Sequence, residues 1–190
     1  VNAPDVVEPN ADELPIMPKG ALDARSVSTV IARLQPSNCI VMDEALTVGM
    51  PYFDASRYAP RFSHLMLTAG AIGEGPGAAT GAAIACPDRK VINFQSDGCG
   101  AYSVQAFWTQ ARENLDVVTI IGSNSSYNIL RVELLRSGVT RSGPITRSTD
   151  EWLMSRSCHK ATSSNAAKAY DRMRRASPER FSDRTGLRLC

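Results

Sequence analysis

The fold is decided between Val91 and Ile121. Val91-Ile92-Asn93-Phe94 is a short apolar run, and Gln95-Ser96-Asp97-Gly98-Cys99-Gly100 follows as a polar, glycine-containing turn. Tyr102 to Asn114 has helical character and leads through Leu115-Asp116 into Val117-Val118-Thr119-Ile120-Ile121. A β-branched run without polar alternation is the mark of a strand buried on both faces, and a helix between two such runs makes a parallel strand–helix–strand unit. That unit places Asp97 at the carboxyl end of its first strand and Asn124 just beyond the carboxyl end of its second.

Working outward, Leu22, Val27, Val30, Ile31 and Leu34 recur at helical spacing before Pro36, so an amphipathic helix precedes the sheet. Cys39-Ile40-Val41-Met42 reads as a buried strand whose acidic end, Asp43-Glu44, faces out of the sheet. Leu65-Met66-Leu67-Thr68 reads as a further strand. The loop Ala69-Gly70-Ala71-Ile72-Gly73-Glu74-Gly75-Pro76-Gly77 comes next, and its glycines permit close backbone approach to a ligand. Ala78 to Ala85 and Ile129 to Ser137 read as helices. This alternation predicts an α/β domain, a parallel sheet with helices on both faces, incomplete at the C-terminus.

The domain is expected over residues 21–146. Residues 1–20, with four prolines and no sustained period, read as a linker, and with Val1 in place of methionine they suggest a further domain upstream. Residues 147–190 are rich in serine and arginine, Arg172, Arg174, Arg175, Arg180, Arg184 and Arg188 among them, and hold no apolar run long enough for a strand. They read as a divergent, poorly ordered basic tail in preference to an arm for anionic surfaces or nucleic acid, with a frameshift or truncation beyond about Asp150 as its expected origin.

Composition narrows the function. Lys plus Arg number 21 against 19 Asp plus Glu, a net charge of +2, which is no basis for a nucleic-acid partner. No apolar stretch reaches the roughly 18 residues of a membrane helix. Five scattered cysteines form no CxxC, so neither a disulfide framework nor a zinc site is indicated, and a cytoplasmic location suits them.

The chemistry converges at the two strand ends. In an open α/β sheet the carboxyl edge is where ligands bind, so the Asp97 carboxylate, the Asn124 amide oxygen and the Ser126 carbonyl can form a hard all-oxygen set suited to Mg²⁺. The N–H groups of Gly98-Cys99-Gly100 precede a helix and can meet an anion. A diphosphate bridged to the protein by Mg²⁺ satisfies both halves.

These motifs resemble the C-terminal cofactor-binding domain of thiamine-diphosphate-dependent enzymes of the acetolactate synthase and 2-oxo acid decarboxylase group. The resemblance spans about Ala21 to Gly138 and rests on five segments, one of them Tyr127-Asn128-Ile129-Leu130, which resembles the stretch after the family's Asn pair. Ser96-Asp97-Gly98 stands for the family's Gly-Asp-Gly, and Ser123-Asn124 for its Asn pair. The helix from Tyr102 to Asp116 and the loop Thr68-Ala69-Gly70-Ala71-Ile72-Gly73-Glu74-Gly75 resemble their family counterparts.

The resemblance implies thiamine diphosphate and Mg²⁺ as cofactors. Asp97, Asn124 and Ser126 would be metal ligands, and Gly98 and Cys99 phosphate neighbours. Ile72 would be the apolar wedge that keeps the cofactor bent, and the Gly70 carbonyl the acceptor for its amino group. Thr47 matches a position that touches the diphosphate in some relatives. A 2-oxo acid substrate is implied, with decarboxylation or carboligation as the reaction. A pyrimidine-binding domain of the same or another subunit, carrying the family's catalytic glutamate, is implied too, together with homo-oligomerisation; the chain alone is then a fragment without activity, with no catalytic residue of its own.

Ser96, Ser123 and Cys99 depart from the pattern. Ser96 is expected to strain the strand end if that position needs a positive φ, and Ser123 to cost a structural hydrogen bond. The alternative they favour is a non-catalytic remnant acting as a binding or interaction module. Cys99 as a nucleophile lacks a histidine, and a different α/β nucleotide binder would need a GxGxxG after the first strand or a P-loop lysine. His64 and His159 show no spaced partner, and Phe107 and Trp108 read as helix core.

Overall fold

A computed structural model describes residues 7–20, 23–123, 128–138 and 187–189 of the chain. Strands β1 (Ile40–Glu44), β2 (Ser63–Met66), β3 (Val91–Ser96), β4 (Val117–Gly122) and β5 (Leu187–Leu189) form one sheet in the order β2-β1-β3-β4-β5. The first four are parallel: Ile40 lies opposite both Ser63 and Val91, and Val91 opposite Val117. β5 is antiparallel to β4, with Leu187 opposite Gly122. It arises in the segment read as having no strand, because main-chain pairing along an open strand edge requires no apolar run.

The helices are α1 (Ala24–Leu34), α2 (Tyr52–Ala55), α3 (Glu74–Ala85), α4 (Asp97–Tyr102), α5 (Gln105–Arg112) and α6 (Asn128–Arg136). Strand alternation divides the interior into two cores. Val41, Ile92, Phe94 and Ile120 point to one face and pack with Val27, Ile31 and Ala32 of α1 and Tyr52 and Ala55 of α2. Ile40, Met42 and Val91 point to the other and pack with Ala79 and Ala83 of α3. Helices therefore cover both faces, as expected.

Local chemistry sets the boundaries. Asp23 caps α1 by accepting from the Ser26 N–H at 2.8 Å, and the Ser26 hydroxyl answers the Asp23 N–H at 2.6 Å, a reciprocal capping box. Helix α3 starts at Glu74, four residues before the expected Ala78, because Pro76 falls in its first turn, where a missing N–H costs nothing. β2 lies two residues earlier than read. The one-turn helix α2 exists to seat Tyr52, whose ring is fully buried edge-on against Phe62, His64 and Phe94 and whose hydroxyl donates to Gln35 Oε1 at 2.5 Å.

Trp108 is not core. It is 61% exposed with the Arg112 guanidinium 4.6 Å from its ring centroid, and Phe107 is half-buried. Gln110 takes the inward position instead, donating to Pro76 O at 3.1 Å and Thr80 Oγ1 at 2.9 Å, so a polar contact orients α5 on α3. Residues 7–20 form no helix or strand; Leu14 is buried, and Arg33 donates to the carbonyls of Leu14 and Pro15.

Phe94 is fully buried in the centre of the sheet. Phe94→Ala is expected to lower the unfolding free energy by about 3–5 kcal/mol, seen as a reduced urea midpoint at unchanged slope.

Candidate functional site at the carboxyl edge of the sheet

From β1 the chain goes first to β2 on one side and later to β3 on the other, so the strand order reverses between β1 and β3. Such a switch point opens a crevice at the carboxyl ends, the place where open α/β sheets take ligands. Here the strand ends carry Asp43-Glu44, Ser96-Asp97 and Gly122-Ser123, with Glu44 opposite Gln95 and Ser96 opposite Gly122.

Asp97 opens α4 and is 3% exposed. Its Oδ1 accepts from the Gly98 N–H at 3.0 Å, and its Oδ2 accepts from the Ser123 hydroxyl at 3.1 Å across the strand ends. Ser123, expected only to lose a bond, therefore makes one to the carboxylate itself. Asn124 and Ser126 lie outside the described residues.

Ser96 is not strained. Its φ of −87° and ψ of 158° are ordinary extended backbone, and its hydroxyl caps α4 by accepting from the Cys99 N–H at 3.4 Å. The expected penalty falls away because helix α4 begins at Asp97, which makes Ser96 an N-cap and not a turn residue. The Cys99 thiol is 3% exposed and pushed up to about 11, chiefly by burial, with Glu44 and Asp97 nearby adding to the rise. A protonated, buried thiol is no nucleophile.

The glycine loop is held from several directions. The Glu44 carboxylate, 1% exposed, accepts from the Gly73 N–H at 2.5 Å and the Gly75 N–H at 2.8 Å. Its predicted outward orientation is wrong: Glu44 shares a face with Ile40 and Met42 and lies under the start of α3. The Ser103 hydroxyl donates to Gly73 O at 2.6 Å, and Glu74 accepts from the Thr68 N–H and hydroxyl, both at 3.0 Å.

Gly73 has φ +93°, and a Cβ there would sit 2.6 Å from Tyr102 Cβ; a Cβ on Gly75 would run into the Gln95 amide and lie 2.5 Å from Glu44 Oε2. Ile72 stands 42% exposed on this braced loop. Gly70, at φ +73°, already accepts from the Ile72 N–H at 2.9 Å. Thr47 is half-buried in the turn after β1.

Sequence reasoning missed two further groups. Gln95 and Asn93 are fully buried beside Glu44, with Gln95 Nε2 donating to Asn93 Oδ1 at 2.7 Å and Asn93 Nδ2 to Thr119 Oγ1 at 3.3 Å. His64 has a partner after all, Asp43 Oδ2 at 3.6 Å, delivered by the neighbouring strand. His159 lies outside the described residues. Among the described residues no three His, Cys, Asp or Glu side chains are grouped to hold a metal, so a cation at this edge would combine Asp97 with neutral oxygens.

Comparison with known proteins decides the family. The model of the thiamine pyrophosphate enzyme C-terminal TPP-binding domain matches residues 47–181. The chain belongs to this family. The match runs past Gly138, where the recognisable sequence motifs stop, and into the basic tail.

Over 137 residues the domain is 47% identical to a Mycobacterium tuberculosis protein, IlvX, named as an acetolactate synthase large subunit; the alignment covers 72% of this chain and 27% of that one. It is 32% identical over 112 residues to a benzoylformate decarboxylase of Pseudomonas aeruginosa, covering 59% of this chain and 21% of the relative. A solved structure, the thiamine diphosphate-dependent 4-hydroxybenzoylformate decarboxylase of Rhodococcus jostii, superposes with a TM-score of 0.58 at 27% identity, covering 68% of this chain and 25% of that one. The domain thus spans about a quarter of the length of these relatives. Among the described residues no helix is long and apolar enough to cross a membrane.

Two outcomes follow from the geometry. Ser96→Ala is expected to destabilise the domain by about 1 kcal/mol in chemical denaturation, and Ser96→Gly to bring no gain in stability. Alkylation of Cys99 in the native protein is expected to be slow at pH 8 and to accelerate about tenfold per pH unit toward 11, followed by peptide mass mapping, since each unit below the thiol's pKa cuts the thiolate tenfold.

Proposed function

We propose that the chain is the thiamine diphosphate- and Mg²⁺-holding domain of an enzyme that acts on 2-oxo acids by decarboxylation or carboligation, like the acetolactate synthase and benzoylformate decarboxylase relatives. One observation carries this reading. At the switch point the buried Asp97 carboxylate and the braced loop bearing exposed Ile72 stand at the same sheet edge, joined through α4 and Ser103.

The residues fit the cofactor. Asp97 supplies the charged oxygen a hard cation prefers, and the Ser123 hydroxyl holds that carboxylate in place. Asn124 and Ser126 would complete the metal's protein ligands, as the family resemblance assigns them. Ile72 offers an apolar edge on a loop that cannot easily yield, and Gly70, with open space where a Cβ would stand, lets a ring approach the backbone. When bound, thiamine diphosphate supplies the electron sink for breaking the bond to the carboxylate.

Met66, the last residue of β2, and Met50 and Phe53, in the segment after β1, are between 60% and 70% exposed. Large apolar side chains left exposed support a covering partner, for which we take the pyrimidine-binding domain of the same or another subunit in a homo-oligomer. The protein is assigned to the cytoplasm, where Cys39, Cys86 and Cys99 stay as thiols.

Calorimetric titration of thiamine diphosphate with Mg²⁺ tests the reading. Asp97→Ala is expected to weaken binding at least tenfold and Mg²⁺ removal by chelator to abolish it. Equal heats from both proteins would take Asp97 out of the site. A folded wild type that binds nothing would select the non-catalytic remnant.

A further inference from the structure

We propose that Glu44 is the positioning residue of the cofactor site, its buried carboxylate clamping the main chain on the C-terminal side of Ile72 so that this side chain is presented to the cofactor ring; the inference rests on the function proposed above. Glu44 ends β1, the strand beside the switch point, and both of its oxygens are engaged by loop N–H groups, Gly73 at 2.5 Å and Gly75 at 2.8 Å. Gly73 is the residue after Ile72, so the clamp closes one bond away from it.

These donors are also the N-cap and a first-turn N–H of the twelve-residue helix α3, which no intrahelical carbonyl can satisfy. The carboxylate therefore meets unpaired donors at the positive end of a helix dipole, which is what makes a buried charge tolerable there. The fit is tight. Gly75 can have no Cβ because the Gln95 amide and Glu44 Oε2 occupy that space, and Gly73 can have none because Tyr102 does.

Other contacts close the loop without choosing its depth. Glu74 ties it to Thr68, and Ser103 holds the Gly73 carbonyl from the α4 side, but Glu44 joins it to the sheet. An isoleucine 42% exposed on a loop so restrained is not core; its apolar surface is offered to something outside the domain's own fold. Asp97, by contrast, accepts from the Gly98 N–H and the Ser123 hydroxyl at the ends of β3 and β4 and would serve the metal and diphosphate. The two acids thus divide the ligand, Asp97 taking the charged end and Glu44, through Ile72, the ring end.

The full 190-residue chain is titrated with Mg²⁺ plus thiamine diphosphate and, separately, with Mg²⁺ plus inorganic pyrophosphate. Glu44→Gln exchanges one acceptor for a donor facing an N–H. It is expected to weaken thiamine diphosphate binding at least tenfold while leaving pyrophosphate affinity within twofold, whereas Asp97→Ala weakens both. Wild-type affinity for thiamine diphosphate in Glu44→Gln, or an equal loss for both ligands, would overturn the clamp. A wild type that binds neither ligand would overturn the underlying function and this inference with it.

Hydrogen exchange on the unsubstituted chain decides the matter even if Glu44→Gln does not fold. The Gly73 and Gly75 amides are expected to exchange at least a hundredfold more slowly than that of Gly70 before any cofactor is added. Equal rates at the three glycines would show that the clamp does not exist.

Discussion

A carboxylate removed from water must be met by donors, and the arrangement that meets Glu44 shapes the neighbourhood of the site. With the Gln95 amide, the Glu44 carboxylate fills the space where a Gly75 side chain would stand, and its other N–H partner, Gly73, lies in the left-handed region that begins α3. The same charge sits beside Gln95, whose amide passes the polar contact on to Asn93 and then to Thr119. The α3 face of the sheet accordingly changes character along the strands. It is apolar at Ile40, Met42 and Val91, where Ala79 and Ala83 cover it, and polar toward the carboxyl end at Glu44, Asn93 and Gln95. A buried polar network contributes less stability than an apolar one of equal volume, yet it sets a backbone in one position, which a ligand loop requires.

The Asp97 side of the site is built on a different principle. Its carboxylate is oriented by its neighbour Gly98 and by Ser123 from the adjacent strand, so the parallel register of β3 and β4 itself aligns the pair. Ser96 and Ser123, which depart from the family's pattern, are both in structural use, one as the cap of α4 and one as the partner of Asp97. The departures are thus absorbed by the fold without displacing the acid.

Much of this was legible in the amino acids. Asp97 and the segment of Ser123 are expected at neighbouring strand ends because a β-branched run, a helix and a second β-branched run admit few other arrangements, and the parallel pairing of β3 with β4 follows from that connection. Glu44 was misread because an acid at a strand end ordinarily faces water, and its donors are main-chain N–H groups 29 and 31 residues away, which no side chain announces. His64 escaped notice for a similar reason, since its partner Asp43 comes from the adjacent strand. Trp108 reads as helix core, but the inward position of α5 belongs to Gln110, whose amide finds acceptors there that an indole could not use in the same way. The start of α3 was set too late because glycine and proline read as loop, although the first turn of a helix accepts both.

The parallel sheet also governs how the chain must assemble. Ile40 pairs with Ser63 on one side and Val91 on the other, and Val91 pairs with Val117, so every contact among the first four strands joins segments separated by other structure. No hairpin exists among them to act as a local nucleus. High contact order of this kind slows folding, because loop-closure entropy is lost before the pairing energy is gained. The apolar Ile40-Val41-Met42 run, destined for the interior of the sheet, therefore waits unpaired on one edge during synthesis until the ribosome has delivered Val91, making this strand the natural point of chaperone engagement or misassociation in the growing chain.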